Sequence, residues 1–259
     1  MAELTGVRAV VTGATSGLGA AMTEALLRAG ARVAVAARPT QRLDEAVDAL
    51  RADGLAAEPL PMDVRDPASV ERAADDVWRR WDGVDLVVNN AGIGMRTVNP
   101  RFLEQPQPFY EVTPEGFSDV IATNLTGYFL VARAFAPRFV KQGHGRFVNV
   151  SMNQSTMRRR GFVPYGPSRA GGDSLSAIMS EDLREHGVTV NVLLPGGATE
   201  TGMIPARLPD DVRAQLLPAS VMGPPIVWLA SDAAADVTGE RIVAKDWDAW
   251  LADFTRRKA

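Results

Sequence analysis

Short apolar runs alternate along this chain with longer segments whose apolar residues recur every three or four positions. The first run, Val7, Ala9, Val10 and Val11, is too brief for a helix and is cut by Thr12-Gly13, with Gly17 and Gly19 following. That pattern predicts a buried strand feeding a tight turn. From Gly17 onward Leu18, Met22, Ala25, Leu26 and Ala29 fall at helical spacing, and Gly30 is placed to cap the helix. A second strand is predicted from Ala31 to Ala37, and an amphipathic helix from Gln41 to Ala52 with Leu43, Ala46, Val47 and Leu50 on one face. The alternation continues with a strand over Ala56 to Met62, a helix over Pro67 to Trp81, and a strand over Val84 to Val88. A proline-bearing loop with no clean period fills 93–116. The spacing then predicts one helix from Pro114 to Val140, with Phe117, Ile121, Leu125, Tyr128 and Phe129 on its buried side. After it come a strand over Arg146 to Ser151, a helix from Tyr165 to about Glu185, and a strand over Val188 to Leu194. A proline- and charge-rich flap in 196–223, a short helix at Ile226 to Ala230 and a last strand at Arg241 to Ala244 complete the series. A polar tail follows, in which Trp247 and Trp250 pack either on a neighbouring subunit or on their own core.

Strands alternating with helices predict an α/β fold, a doubly wound Rossmann-type parallel sheet of about seven strands with helices on both faces. The expectation is one domain over 1–259 that includes the loops 93–116 and 196–223. Right-handed crossovers bring the glycine turn to the C-terminal edge of the sheet. There a helix N-terminus offers free backbone N–H groups and the positive end of its dipole to a phosphate, and glycines let a pyrophosphate come close.

Composition narrows the chemistry. Of 259 residues 46% are apolar, the formal charge is −3, and no apolar segment approaches a membrane span. The N-terminal MAELTGVRAV carries no signal-peptide pattern, so the expected location is the cytoplasm. The absence of cysteine excludes disulfides, thiolate metal sites and a cysteine nucleophile. His144 and His186 stand apart from any metal-ligand spacing, so no metal is expected. Mild acidity argues against a nucleic-acid partner.

In a βαβ unit, an acidic residue ending the second strand bonds the free 2′-hydroxyl of NAD. Here Ala37 and Arg38 occupy that place, and an arginine suits a 2′-phosphate, so NADP is expected over NAD. The simpler alternative is a solvated charge at a strand end. Asp63 and Val64 close the third strand, where a side chain can meet an adenine ring, and Asn89-Asn90-Ala91-Gly92 closes the fourth.

Thr12-Gly13-x-x-x-Gly17-x-Gly19, Asp63-Val64 and Asn89-Asn90-Ala91-Gly92 together resemble the short-chain dehydrogenase/reductase (SDR) family, over almost the whole chain. The resemblance implies a dinucleotide held by Gly13, Thr15, Ser16, Gly17, Leu18 and Gly19, by Asp63 and Val64, and by Asn90, Ala91 and Gly92. Pro195, Gly196 and a threonine, Thr199 or Thr201, would hold the nicotinamide. Asn124 lies where the family keeps an asparagine that holds a water of the proton relay. Tyr165 matches the tyrosine that gives or takes the proton. The family's habit of pairing long helices implies a homodimer or homotetramer.

Two positions depart from the family. Four residues after Tyr165 the family has a lysine; this chain has Arg169, which shares a helix face with the phenol and can favour phenolate but cannot deprotonate. Met152 stands where a serine would bond the substrate carbonyl. Losing one such donor typically costs about 10²–10³ in rate. Ser151 should point away by strand alternation, whereas Asn153 and Ser155 in the loop have more freedom to substitute. Arg158-Arg159-Arg160 is either a solvated turn or an attractor for a substrate carboxylate or phosphate. The leading expectation is an NADP-linked oxidoreductase acting on an alcohol or carbonyl, with Tyr165 as general acid/base. The alternatives are a binding or regulatory protein with impaired redox activity, or a non-redox elimination or epimerisation.

Overall fold

The computed structural model describes residues 3–204 and 210–258. Seven strands, β1 (Arg8–Thr12), β2 (Arg32–Ala37), β3 (Ala57–Pro61), β4 (Leu86–Asn89), β5 (Gly145–Val150), β6 (Val188–Leu194) and β7 (Arg241–Val243), pair in the order β3-β2-β1-β4-β5-β6-β7. Every pairing is parallel. The chain steps outward from β1 to β3 and then returns to the other side of β1, so the order reverses between β1 and β4. The crevice outside the carboxyl ends of those two strands is where such sheets bind ligands.

Around the sheet lie α1 (Gly17–Arg28), α2 (Gln41–Ala52), α3 (Pro67–Trp81), α4 (Pro114–Ile121), α5 (Gly127–Gln142), α6 (Gln154–Met157), α7 (Tyr165–Leu183), α8 (Asp210–Arg213), α9 (Gly223–Ala230) and α10 (Trp247–Lys258). Alternate residues of each strand face opposite ways and so divide between two cores. Ala9, Val11, Val33, Val35, Leu86 and Val88 pack with Met22 and Leu26 of α1, Leu43 of α2 and Ile226 of α9. Val10, Ala34, Ala36 and Val87 pack on the other face with Val77 of α3, Phe135 and Phe139 of α5, and Met179 of α7. Both faces being covered explains why these strands read as continuous apolar runs. The loop 93–116 has the expected short turns, at Met95–Thr97 and Phe109–Glu111.

The helix predicted from Pro114 to Val140 is three pieces. A π turn, Ala122–Thr126, joins α4 to α5. Tyr128 is buried as expected, but the rest of the inner row is Val120, Asn124 and Val131, while Phe117 and Phe129 are 42% and 47% exposed. The apolar pattern does not mark the inward face, because that face carries the polar Thr123 and Asn124, both buried. The polar tail is also corrected. Trp247, Trp250 and Phe254 recur at helical spacing and form α10, Trp250 stacks on Phe254 at 5.0 Å, and Trp228 of α9 meets Trp247 at 5.4 Å. Both tryptophans therefore pack on their own chain. In the flap 196–223, α8 and a turn at Ala219–Met222 are formed, α9 begins at Gly223, and 205–209 lie outside the described residues.

Candidate active site

The carboxyl ends of β1 and β4 are locked together by side chains. Thr12 Oγ1 accepts the backbone N–H groups of Asn90 and Ala91, each at 3.0 Å, and donates to the Val88 carbonyl at 3.2 Å. Asn90 Nδ2 donates to the carbonyls of Thr12 (2.8 Å) and Gly13 (3.2 Å). These bonds set the path of the turn that enters α1. Gly17 has φ +56°, a left-handed conformation, and a Cβ on Gly19 would lie 2.3 Å from the Gly13 carbonyl oxygen and 2.4 Å from Asn90 Nδ2. Ser16 caps α1 with extended backbone and makes no side-chain bond to its first turn. The first-turn N–H groups are thus not taken by that side chain, as an anion site requires.

Arg38, just past β2, is exposed and makes no ion pair among the described residues; Ala37 precedes it where NAD-binding chains would carry a carboxylate. Asp63 Oδ1 accepts the Arg65 N–H at 2.9 Å, closing the turn after β3, and Val64 packs on Gly127, where a Cβ would lie 2.9 Å from Val64 Cγ2.

Asn124 is fully buried on the π turn. Its Oδ1 accepts the Ile93 N–H at 2.8 Å, and its Nδ2 donates to the Ile93 carbonyl at 2.9 Å and to Ser168 Oγ at 3.3 Å. It therefore ties the segment after β4 to α7. Tyr165 opens α7 half-buried, its hydroxyl 4.0 Å from Met203 Sδ. One turn on, Arg169 is 3% exposed. Its Nη1 donates to Tyr128 Oη at 2.6 Å and to the Val150 carbonyl at 2.9 Å, and its guanidinium lies 5.3 Å from the ring centres of both Tyr128 and Tyr165. Nε has no partner. A Cβ on Gly92 would come within 2.6 Å of Nη2, so this glycine leaves the space the guanidinium fills. Burial opposes the positive charge, but the Tyr128 and Tyr165 phenols outweigh it and raise the guanidinium above its ordinary pKa. Burial likewise pushes the Tyr128 phenol up, and Arg169 offsets only part of that.

The residues following β5 divide. Ser151 donates to Asp173, which also pairs with Arg241 at 3.0 Å. Asn153 Nδ2 is committed to the Gly196 carbonyl at 2.9 Å. Ser155 lies exposed on α6 with its hydroxyl unbonded to the described residues. Met152 packs against Met95, Phe102 and Phe162, as Tyr165 does. Arg158, Arg159 and Arg160 are exposed, and Arg159 covers the Phe162 ring at 5.4 Å.

Beyond β6, Pro195 and Gly196 are buried, and Gly196 has φ +93°. Thr199 is buried and donates to the Gly197 carbonyl at 3.2 Å. Thr201 instead reaches the glycine turn, its Cγ2 lying 3.2 Å from where a Gly17 Cβ would be. Arg96 Nη1 holds this segment through the carbonyls of Gly202 (2.6 Å) and Ile204 (3.3 Å). Sequence reasoning did not single out Tyr128 as a site residue, nor Met203 and Arg96. Tyr128 alone left a signal, four positions after Asn124 on one helix face.

A glycine turn at the switch point of a doubly wound sheet, with a tyrosine and a buried cation at the same sheet edge, is an arrangement that suits a dinucleotide-binding protein. The short chain dehydrogenase family model matches residues 8–211, and the chain belongs to that family. It is 34% identical to the 3-oxoacyl-acyl-carrier-protein reductase of Escherichia coli over 90% of this chain and 93% of that one. It is 33% identical to the gluconate 5-dehydrogenase of Gluconobacter oxydans over 75% and 72%. Among solved structures, one from Beutenbergia cavernae, described as an NAD(P) dependent gluconate 5-dehydrogenase with NADP bound at low occupancy, superposes with a TM-score of 0.82. That pair shares 30% identity over 96% of this chain and 98% of the other.

Proposed function

We propose that this chain is an NADP-linked oxidoreductase interconverting an alcohol and a ketone or aldehyde, with Tyr165 exchanging the proton at the substrate oxygen. The observation that carries the reading is the placing of the Tyr165 phenol beside the buried Arg169 guanidinium, at the same sheet edge as the glycine turn. The residues suit a dinucleotide: the Gly19 cradle admits no side chain, and the unpaired Arg38 suits a 2′-phosphate. Gly13, Thr15, Ser16, Gly17 and Leu18 would hold the pyrophosphate, Asp63 and Val64 the adenine, and Asn90, Ala91 and Gly92 the nearer ribose. Pro195, Gly196 and Thr201 or Thr199 would hold the carboxamide. The dinucleotide, when bound, supplies or accepts the hydride.

Arg169 acts here as a fixed charge, because a guanidinium keeps its proton at any working pH. It cannot carry a proton onward. Asn124 holds the Ile93 backbone against α7 and so sets the wall beside Tyr165. Gluconate and 3-oxoacyl groups are the substrates named for the relatives above, both within the alcohol and carbonyl class assigned here. The proposal includes a single domain working in the cytoplasm as a homodimer or homotetramer, supported by the apolar row Phe117, Phe129 and Ile178 left exposed on α4, α5 and α7.

The test is binding of NADPH and NADH followed by turnover on a carbonyl panel. Turnover with NADPH that Tyr165→Phe abolishes supports the reading. Cofactor binding with no oxidation or reduction on any carbonyl overturns it.

A further inference from the structure

The surroundings of Tyr165 limit what carbonyl can reach it. Met95, Phe102 and Phe162 form a small core of their own, apart from the two cores of the sheet, and Val98, Met152 and Tyr165 lie partly buried against it. Met203 also comes to the phenol, its sulfur 4.0 Å from the hydroxyl and 3.3 Å from where a Gly94 Cβ would be. The tyrosine that handles the proton is therefore flanked by thioethers, phenyl rings and a valine.

Ser155 lies exposed on α6, and the other polar side chains nearby are spent elsewhere. Ser151 serves Asp173, Asn153 serves the Gly196 carbonyl, Asn124 serves Ile93, and Arg96 serves the carbonyls of Gly202 and Ile204. Where the family has a serine hydroxyl there is the Met152 thioether. A substrate hydroxyl lodged among these side chains would lose its water and find no partner, at a cost of about tenfold or more in affinity each. An alkyl or aryl group there meets polarisable, flexible thioethers that adapt to its shape.

We infer that the substrate is an apolar ketone or its secondary alcohol, with alkyl or aryl groups flanking the carbonyl, and not a polyhydroxylated keto acid. This rests on the oxidoreductase reading above for the reaction, though not for the binding. The carbonyl receives its hydrogen bond from the Tyr165 hydroxyl, and the side chains around it contribute area and shape.

The chain has nine methionines, which makes their methyl groups a direct probe. In protein labelled with ¹³C at the methionine methyls, the signals of Met95, Met152 and Met203 would be assigned by substitution. An aryl alkyl ketone and 5-ketogluconate would then be titrated separately into the NADPH-loaded protein. The expected result is saturable shifts of those three signals with the aryl ketone, binding at least about 100-fold weaker for ketogluconate, and the same order in kcat/KM. Met203→Gln should narrow the difference by about tenfold, as one polar partner is returned to the site. Equal or tighter ketogluconate binding, or ketone binding that leaves these methyl signals unmoved, overturns the inference. Methyl shifts with the ketone but no turnover would uphold it and count against the oxidoreductase reading instead.

Discussion

Arg169 and Tyr128 are joined by a 2.6 Å hydrogen bond inside the protein, and no carboxylate pairs with this buried guanidinium among the described residues. A buried cation ordinarily demands an anion or full hydrogen bonding. Here two phenol rings, one phenol oxygen and the Val150 carbonyl stand in for that anion, and Nε goes without. Tyr128→Phe keeps the ring but leaves Nη1 with the Val150 carbonyl alone. The expected loss is about 2 kcal/mol of unfolding free energy, the cost of stranding a charged donor. As the guanidinium loosens beside Tyr165, kcat should fall while KM for NADPH holds. Denaturant unfolding with steady-state kinetics checks both, and an unchanged kcat would show that Tyr128 does not position Arg169 for catalysis.

Cofactor choice can be tested at one side chain. Arg38 is exposed, unpaired among the described residues and placed just past β2, so its removal disturbs no packing. A charge-assisted bond to a phosphate is worth enough that Arg38→Ala should raise KM for NADPH about 10- to 100-fold. KM for NADH should stay within about twofold, since the lost partner is the phosphate that NADH lacks. Equal effects on both coenzymes would place the 2′-phosphate elsewhere.

The glycine turn was the most legible feature of the chain, because its chemistry is local: a strand, small residues and a helix start follow one another in sequence. The same holds for the alternation that laid out the sheet. The long helix after the loop departs from its apolar pattern because buried polar side chains and a π turn set its inner face. Asn124 faces inward to bond Ile93 and Ser168, and Thr123 to bond the Asp119 carbonyl, so the inner row is partly polar, and Phe117 and Phe129, which look like core, are on the outside. The π turn that re-phases this helix leaves no compositional mark. The apolar wall around Tyr165 was hidden for a different reason. Met95, Phe102, Met152, Phe162 and Met203 come from three separate loops, and only the fold brings them together. Met152 and Arg169 stood out by position, whereas Phe102, on which Met152 packs, did not, and Tyr128 stood out only as a buried position of its helix.

Gly19→Ala tests whether the turn acts through close approach. The added methyl would meet the Gly13 carbonyl oxygen at 2.3 Å, an atom fixed in the backbone, and Asn90 Nδ2 at 2.4 Å, a group bonded to two carbonyls. Neither can give way without opening the β1–β4 junction. Overpacking of this kind typically costs about 1–3 kcal/mol. The expected outcome is a lowered melting temperature and NADPH affinity reduced about tenfold or more, since the displaced carbonyl belongs to the cradle itself. Calorimetric titration giving wild-type affinity would remove Gly19 from the binding site.

The amino end of the same sheet offers a stability test that leaves the site alone. Arg8, at the start of β1, grips Asp85, just before β4, with Nε and Nη2 at 2.9 Å each, while its backbone N–H donates to the same carboxylate at 2.8 Å. Burial would raise the Asp85 pKa, but the hydrogen bonds and charge of Arg8 outweigh it, holding the carboxyl below its ordinary value of 3.8. A carboxyl depressed in the folded state binds its proton more readily when unfolded. Its contribution is therefore whole above pH 3.8 and fades as pH drops through the lower folded value. Asp85→Asn should cost about 2 kcal/mol near neutral pH, where a charged partner of Arg8 is lost. The gap between wild type and variant should close as acid protonates Asp85. Urea unfolding of both proteins across that range reads the difference directly, and a gap that stays constant into acid would show that the Arg8–Asp85 pair is not the source of the stabilisation.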